Sequence, residues 1–226
     1  MKTGAFFNLE DTLLRGEAQY AFIFWAGCRG HLRPAGLCGS LLNYLRYRLS
    51  IVRQAEGPGA DGFALLRGGS VPRITTAAEK FFTAKLSGRL RKHARSLVAA
   101  HRRCGHLTVL LTPAAELVVQ PLAAFLGIDV LLATRLGIAE ATYTGHSDSP
   151  QPCGSDKYLL AQNFCARYGL ELAKSYVYAS HALESNLLEA AGHPIAANPS
   201  RRLRKLADER GWPVIDLDSR EPVPGA

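Results

Sequence analysis

The hydrophobic residues of this chain follow two rhythms. "TGAFFNLEDTLL" opens with a short apolar run that breaks into a polar turn, which predicts a first strand ending near Asn8. From about Gly16 to Arg103 the spacing turns helical. In "LLNYLRYRLSIV", Leu41, Leu42, Leu45, Leu49 and Val52 fall near a period of about 3.6 residues, with Arg46, Arg48 and Arg53 between them. Glu56–Gly62 and Arg67–Arg73 are rich in breakers and predict loops, and a further helix is expected from Thr75 to Arg103 with a break near Gly88.

After Arg103 the rhythm changes. "HLTVLLT" (106–112) reads as a buried strand of a parallel sheet. "PAAELVVQPLAAFLG" follows as a helix opened by Pro113 and closed by Gly127. "DVLLATRL", "SYVYAS", "HPIAANP" and "WPVIDL" predict further strands. "DKYLLAQNFCARYG", "ALESNLLEAAG" and "SRRLRKLADERG" predict the helices between them, the last capped by Ser200 and stopped by Gly211. Strands alternating with helices at these lengths predict a doubly wound, mostly parallel α/β sheet of Rossmann-like type. The helical block after the first strand then becomes an inserted cap over the sheet's carboxyl edge, where such folds bind ligands. The expected division is a core of residues 1–15 and 104–217, a helical cap of 16–103 and a flexible tail of 218–226.

Composition changes this picture little. The chain has 226 residues, 47% of them hydrophobic and 20% charged, as a globular protein does. The N-terminus lacks the basic-then-apolar layout of a signal peptide. "AFIFWAG" is far short of the roughly 20 residues a membrane span needs. A soluble, cytoplasmic, non-transmembrane protein is expected. The five cysteines are dispersed, which fits reduced thiols. Cys28 with His31, and Cys104 with His106, lack a second pair at zinc-finger spacing.

Charge adds more. The formal net charge is +8. No acid occurs between Glu17 and Glu56, nor between Glu79 and Glu116, a segment holding Lys80, Lys85, Arg89, Arg91, Lys92, Arg95, Arg102 and Arg103. Such stretches attract anionic surfaces or ligands, or form a solvated face whose Arg stems cover apolar surface. No nucleic-acid recognition motif accompanies them.

The order of the pieces resembles the haloacid dehalogenase-like superfamily, and within it the phosphoserine-phosphatase-like branch, whose helical cap follows the first strand. The resemblance rests on Thr12-Leu13 after the first strand and on "GH" with the strand Gly105–Thr112. It rests also on "ELV…PLA…LGID", Tyr143–Gly145, Gly154 with Lys157, and "LLEAAGHPIAANP…RGWPV". It implies a nucleophilic aspartate at the end of strand one and an acid/base aspartate two residues on. It also implies a phosphate-binding Ser/Thr and lysine. Magnesium is held there by the first aspartate, a backbone carbonyl and an acid of the fourth motif.

On these anchors the nucleophile position is Asn8 and the acid/base position Glu10. Asp11, Thr12, Thr112 and Lys157 take the phosphate-binding positions, and Asn8, Ser180 and Glu184 the metal positions. An amide is not a useful nucleophile. Magnesium demands hard anionic oxygens, and an amide and a hydroxyl remove two charges from its cage. The extra methylene of Glu10 displaces its carboxyl, and a shift on the order of 1 Å can cost about a hundredfold. The family site and this one without metal both carry a formal total of −1, so the losses compensate. The leading expectation is a pseudoenzyme: a phosphatase-like protein with a degenerate site that binds a phosphorylated small molecule or protein partner without hydrolysing it. No cofactor is expected, or magnesium if the site retains it. The alternative is an enzyme with altered, metal-independent chemistry in which Glu10 or Asp11 acts as acid or base. His181 is a further candidate base. Arg15 and Glu17 face the cap hinge as possible substrate contacts. Tyr20, Phe22 and Trp25 are read as cap core.

Overall fold

The computed structural model describes residues 3–32 and 63–219. A six-stranded sheet is built from β1 (Gly4–Asn8), β2 (Leu107–Ala115), β3 (Val130–Thr134), β6 (Tyr176–Ala179), β7 (His193–Ala197) and β8 (Val214–Ile215). Its spatial order is β3-β2-β1-β6-β7-β8, with every neighbouring pair parallel. The chain builds outward from β1 to β3 and then crosses to β6 on the other side, so the topological switch lies between β1 and β6. Asn8 ends one of these strands and Ser180 follows the other.

The period-two alternation of a strand explains the apolar runs. Ala5 and Phe7 join one buried cluster and Phe6 the other, while in β2 Leu110 faces the first and Val109 and Leu111 the second. Both faces are covered, so neither needs polar residues. Among the described residues the α-helices include α1 (Ala18–Cys28), α2 (Val71–Phe81), α3 (Ala94–Arg103), α4 (Glu116–Leu126), α5 (Asp156–Tyr168), α6 (Ser185–Glu189) and α7 (Arg201–Arg210). α1 and α2 meet through Phe22, Trp25 and Phe81, whose rings lie 5.5–5.6 Å apart. These side chains and Tyr20 are buried, and Phe22, Trp25 and Phe81 share one apolar cluster with Phe7 and Leu110 of the sheet.

Several elements depart from expectation. The helix expected to open at Pro113 begins at Glu116, because β2 runs on through Ala115. Thr112 precedes a proline and disfavours the helical region. The Thr134 hydroxyl donates to the Pro113 carbonyl at 2.7 Å, and the β2–β3 register shifts between Leu111 and Ala115. Pro113, which has no N–H to offer a ladder, thus sits in an irregularity of the pairing. The helix expected over 75–103 starts at Val71, inside the expected loop 67–73. It passes through a π turn (82–86) and a 3-10 turn (87–89) before α3 resumes at Ala94.

A hairpin, β4 (Leu136–Ala139) and β5 (Thr142–Ser147), had no forerunner in the pattern. Its two turn residues, Glu140 and Ala141, both hold positive φ, a turn that ordinarily advertises itself with Asn-Gly. Asp218 and Ser219, expected in a flexible tail, are hydrogen-bonded to Arg15, Arg91, Lys92 and His93. The helix expected over 41–52 and the loop over 56–62 lie outside the described residues.

The chain leaves and re-enters the core side by side. Arg15 N–H donates to the Arg89 carbonyl and Arg91 N–H to the Leu13 carbonyl, both at 2.9 Å. Some of the basic stretch is structural: Arg95 lies over Phe125, and Arg102 reaches Asp129 at 3.4 Å. The described cysteines, Cys28, Cys104, Cys153 and Cys165, are free thiols. Among the described residues no helix is long and apolar enough to cross a membrane.

Candidate active site at the carboxyl edge

β1 delivers Asn8 to the carboxyl edge and the chain then turns sharply. Leu9's carbonyl accepts from the N–H groups of Thr12, Leu13 and Leu14. Asp11 takes the left-handed conformation (φ 55°), which Asp tolerates better than most residues. Its carboxylate is turned back to accept from Gly16 N–H at 2.9 Å and to meet His181 Nε2 at 3.3 Å. The hydrogen bond from His181 holds the Asp11 carboxyl below its ordinary value, and the same bond raises the imidazole. Arg91 fixes the turn from the cap hinge by donating to the Asp11 carbonyl at 2.9 Å.

Asn8 is at the centre of the network. Its Oδ1 accepts from Lys157 Nζ at 2.6 Å, while Nδ2 donates to the Glu10 carbonyl at 2.9 Å and to Thr12 Oγ1 at 3.0 Å. An ammonium can only donate, so the amide oxygen must face Lys157 and the amide nitrogen must face Glu10. Ser180 Oγ donates to the same Glu10 carbonyl at 3.1 Å, and Thr12 Oγ1 approaches it at 3.4 Å. Lys157 is also paired with Glu184, both side chains being almost fully buried. Burial opposes the lysine's charge, but the carboxylates of Glu184 and Glu10 overcome it and raise the ammonium's pKa.

Asn8, Glu10, Glu17, Lys157, His181 and Glu184 line one cavity of about 50 Å³. Thr112 donates its hydroxyl to the Glu10 carboxylate at 2.8 Å and accepts from Ala114 N–H at 3.1 Å. Burial raises the Glu10 carboxyl against the opposing pull of Lys157 and this hydroxyl. Burial, and then the nearby Glu10 and Asp11 carboxylates, push Glu17 up to about 8. Glu184 Oε2 is buried without a hydrogen-bond partner. Cys153 lines the cavity too, but burial pushes its thiol up to about 11, out of the range of a reactive thiolate.

Of the residues singled out from sequence, the fold thus gathers Asn8, Glu10, Lys157 and Glu184 around one space. Asp11 is directed away from it, Thr12 and Ser180 serve the Glu10 carbonyl, and Thr112 serves the Glu10 carboxylate. The carbonyl that a metal would need carries donors from Asn8 and Ser180, and the Asn8 oxygen faces an ammonium. In this arrangement the groups present do not match the anionic oxygens that magnesium requires. Among the described residues no grouping of three or more His, Cys, Asp or Glu is placed to hold a metal ion. Sequence reasoning missed the part of Arg91 and Asp218. Arg91 was visible only as one cation in a basic stretch, and Asp218 only as the start of a polar tail.

Comparison with known proteins places these features. A family profile described as haloacid dehalogenase-like hydrolase matches residues 5–183. The chain is 29% identical to the inhibition of morphological differentiation protein of Streptomyces azureus, over 99% of this chain and 83% of that one. It is 24% identical to phosphoserine phosphatase SerB1 of Mycobacterium tuberculosis, over 96% of this chain and 71% of that one. The crystal structure of a Bordetella pertussis Tohama I protein of unknown function superposes with a TM-score of 0.85 at 31% identity, covering 96% and 99% of the two chains. A substrate-bound phosphoserine phosphatase superposes with a TM-score of 0.70 at 16% identity, covering 98% and 95%, a likeness of fold alone.

Proposed function

The chain belongs to the haloacid dehalogenase-like hydrolase family, and from that premise we propose that it is a phosphatase-fold protein that binds a phosphorylated small molecule or protein partner without hydrolysing it. One observation carries this reading. The Lys157 ammonium sits between Asn8 Oδ1 and Glu184, while the Asn8 amide and the Ser180 hydroxyl cap the Glu10 carbonyl. Protein donors thereby occupy the acceptors that the family's metal uses. The side chain that ends β1 is an amide, which is not a useful acceptor for phosphoryl transfer.

Binding remains feasible. Lys157 has a third N–H beyond the two already engaged. The cavity holds a few water-sized groups, roughly the room of one tetrahedral oxyanion. With Glu10 and Glu17 both shifted toward their neutral forms, the cavity does not repel an anion as three full carboxylates would. The same two shifts favour a second reading, metal-independent acid–base chemistry by Glu10. Asp11 suits that role less, since its carboxylate is depressed and turned toward Gly16.

The test is calorimetric titration of magnesium and of inorganic phosphate into the native protein and into an Asn8→Asp, Ser180→Asp variant, beside turnover of p-nitrophenyl phosphate. The native protein is expected to bind phosphate, take up no magnesium and show no turnover, and the variant to gain magnesium binding. Magnesium-dependent hydrolysis by the native protein that disappears in Asn8→Ala overturns the first reading. Metal-independent turnover lost in Glu10→Gln establishes the second.

A further inference from the structure

A second cavity, of about 430 Å³, opens between the cap and the core and shares no lining residue with the one at Asn8. This is the size range of small-molecule sites. Its walls follow from helical spacing: Thr75 and Glu79 are one turn apart on α2, as Glu116 and Gln120 are on α4. Leu117, Leu136 and Tyr143 supply apolar surface.

The third wall is the β4–β5 hairpin, and it is held in place. Gly68 N–H donates to the Tyr143 carbonyl at 2.8 Å and Tyr143 N–H to the Gly69 carbonyl at 3.0 Å. Val71 N–H donates to the Ala141 carbonyl at 3.0 Å, and Arg67 Nε to the Thr144 carbonyl at 3.0 Å. The cavity is therefore preformed, with the cap side and the hairpin tied together by backbone hydrogen bonds.

Its charge stands against that of the molecule. Two carboxylates, Glu79 and Glu116, and one guanidinium, Arg135, face it, and none of the three makes an ion pair among the described residues. In a chain of net charge +8, these are the two acids that bound an acid-free stretch, brought to one apolar-walled space by the packing of α2 on α4. We propose that this cavity is a binding site for a small amphipathic amine, its ammonium held by Glu79 and Glu116 and its apolar body against Leu117, Leu136 and Tyr143. Arg135 can accept a second, anionic end of such a ligand, so an aromatic or aliphatic zwitterion belongs to the same class. Because α2 lies in the cap and α4 in the core, an occupant bridges the two.

The test uses 2-phenylethylamine and its anionic counterpart 3-phenylpropionate, titrated into the full chain and followed by ligand-observed NMR. The amine is expected to bind saturably and the anion at least about tenfold more weakly, the worth of one charge-assisted hydrogen bond. The Glu79→Gln, Glu116→Gln double variant is expected to lose about tenfold in amine affinity. Gln120→Trp, at an exposed lining position, is expected to block binding with circular dichroism unchanged. Binding must persist in Glu17→Gln, which separates this cavity from the one at Asn8. Equal binding of amine and anion, no saturable amine binding, indifference to the double variant, or loss in Glu17→Gln each overturn the proposal.

Discussion

Replacing Lys157 with methionine isolates the interaction on which the site is organised. The change keeps the unbranched stem out to Cε and removes the ammonium. Glu184 then holds a carboxylate with 5% side-chain exposure and no cation, and Asn8 Oδ1 loses its donor. Breaking a buried pair by removing one partner costs about 3–5 kcal/mol. In a chain of this size that corresponds to a fall in Tm of about 6–20 °C. Lys157→Met with Glu184→Leu removes both charges and leaves only the Asn8 acceptor unmatched, a cost of about 1–3 kcal/mol. The double variant should therefore be more stable than Lys157→Met alone, although it carries more substitutions. Urea unfolding of the native protein, both single variants and the double variant supplies the cycle, with equal m-values as the check that the compared states are alike. A Lys157→Met cost below about 1 kcal/mol, or a double variant no better than that single, refutes the assignment of Lys157 as the buried counter-ion.

Three further outcomes follow from the same structure. His101 is buried, with Nε2 2.8 Å from the Tyr178 hydroxyl and Nδ1 2.8 Å from His106 Nδ1, and burial lowers its pKa to about 4. The unfolded chain binds this proton first, so stability should fall by up to about 3 kcal/mol as pH drops from about 6.5 to 4. His101→Gln should flatten that limb in acid denaturation, and an unchanged limb counts against the assignment. Glu17 has the opposite sign: its folded carboxyl keeps a proton up to about 8, so the native state loses stability as pH rises from about 4.5 to 8. Glu17→Gln should narrow the difference between unfolding midpoints measured at pH 5 and pH 8. Asp218 is drawn down to about 2, despite its burial, by Arg15 and Arg91 at the cap hinge. Asp218→Asn should cost about 1–2 kcal/mol above pH 4, an advantage that disappears as pH falls through about 2, and speed amide exchange at Arg15 and Arg91.

Much of the fold could be read from local patterns. "GAFFN", "LTVLL" and "SYVYA" are strands because both faces of a covered parallel sheet want apolar side chains. Gly127, Gly169 and Gly211 end helices because each adopts the left-handed conformation there. The order of these blocks is enough to bring Asn8 and Ser180, at the ends of their strands, and Thr112, near the end of its own, to one edge. Where local chemistry was silent, the reading failed. Glu140-Ala141 does not look like a hairpin turn, and Pro113 looks like a helix opener until Thr134 holds its carbonyl in an extended segment.

What the sequence by itself determined is the layout of the sheet and the kinds of group at its mouth: an amide, a hydroxyl, a lysine and several carboxyls. The direction each group faces was decided by the tertiary structure alone. Asn8 could have offered either end of its amide. It turns oxygen outward because an ammonium arriving from residue 157 can only donate, and that choice aims its nitrogen at the Glu10 carbonyl. Asp11, the residue next to Glu10, faces away for an equally non-local reason, since His181 and the start of the cap claim its oxygens. Hydrogen-bond capacity belongs to the residue, but its partner belongs to the fold.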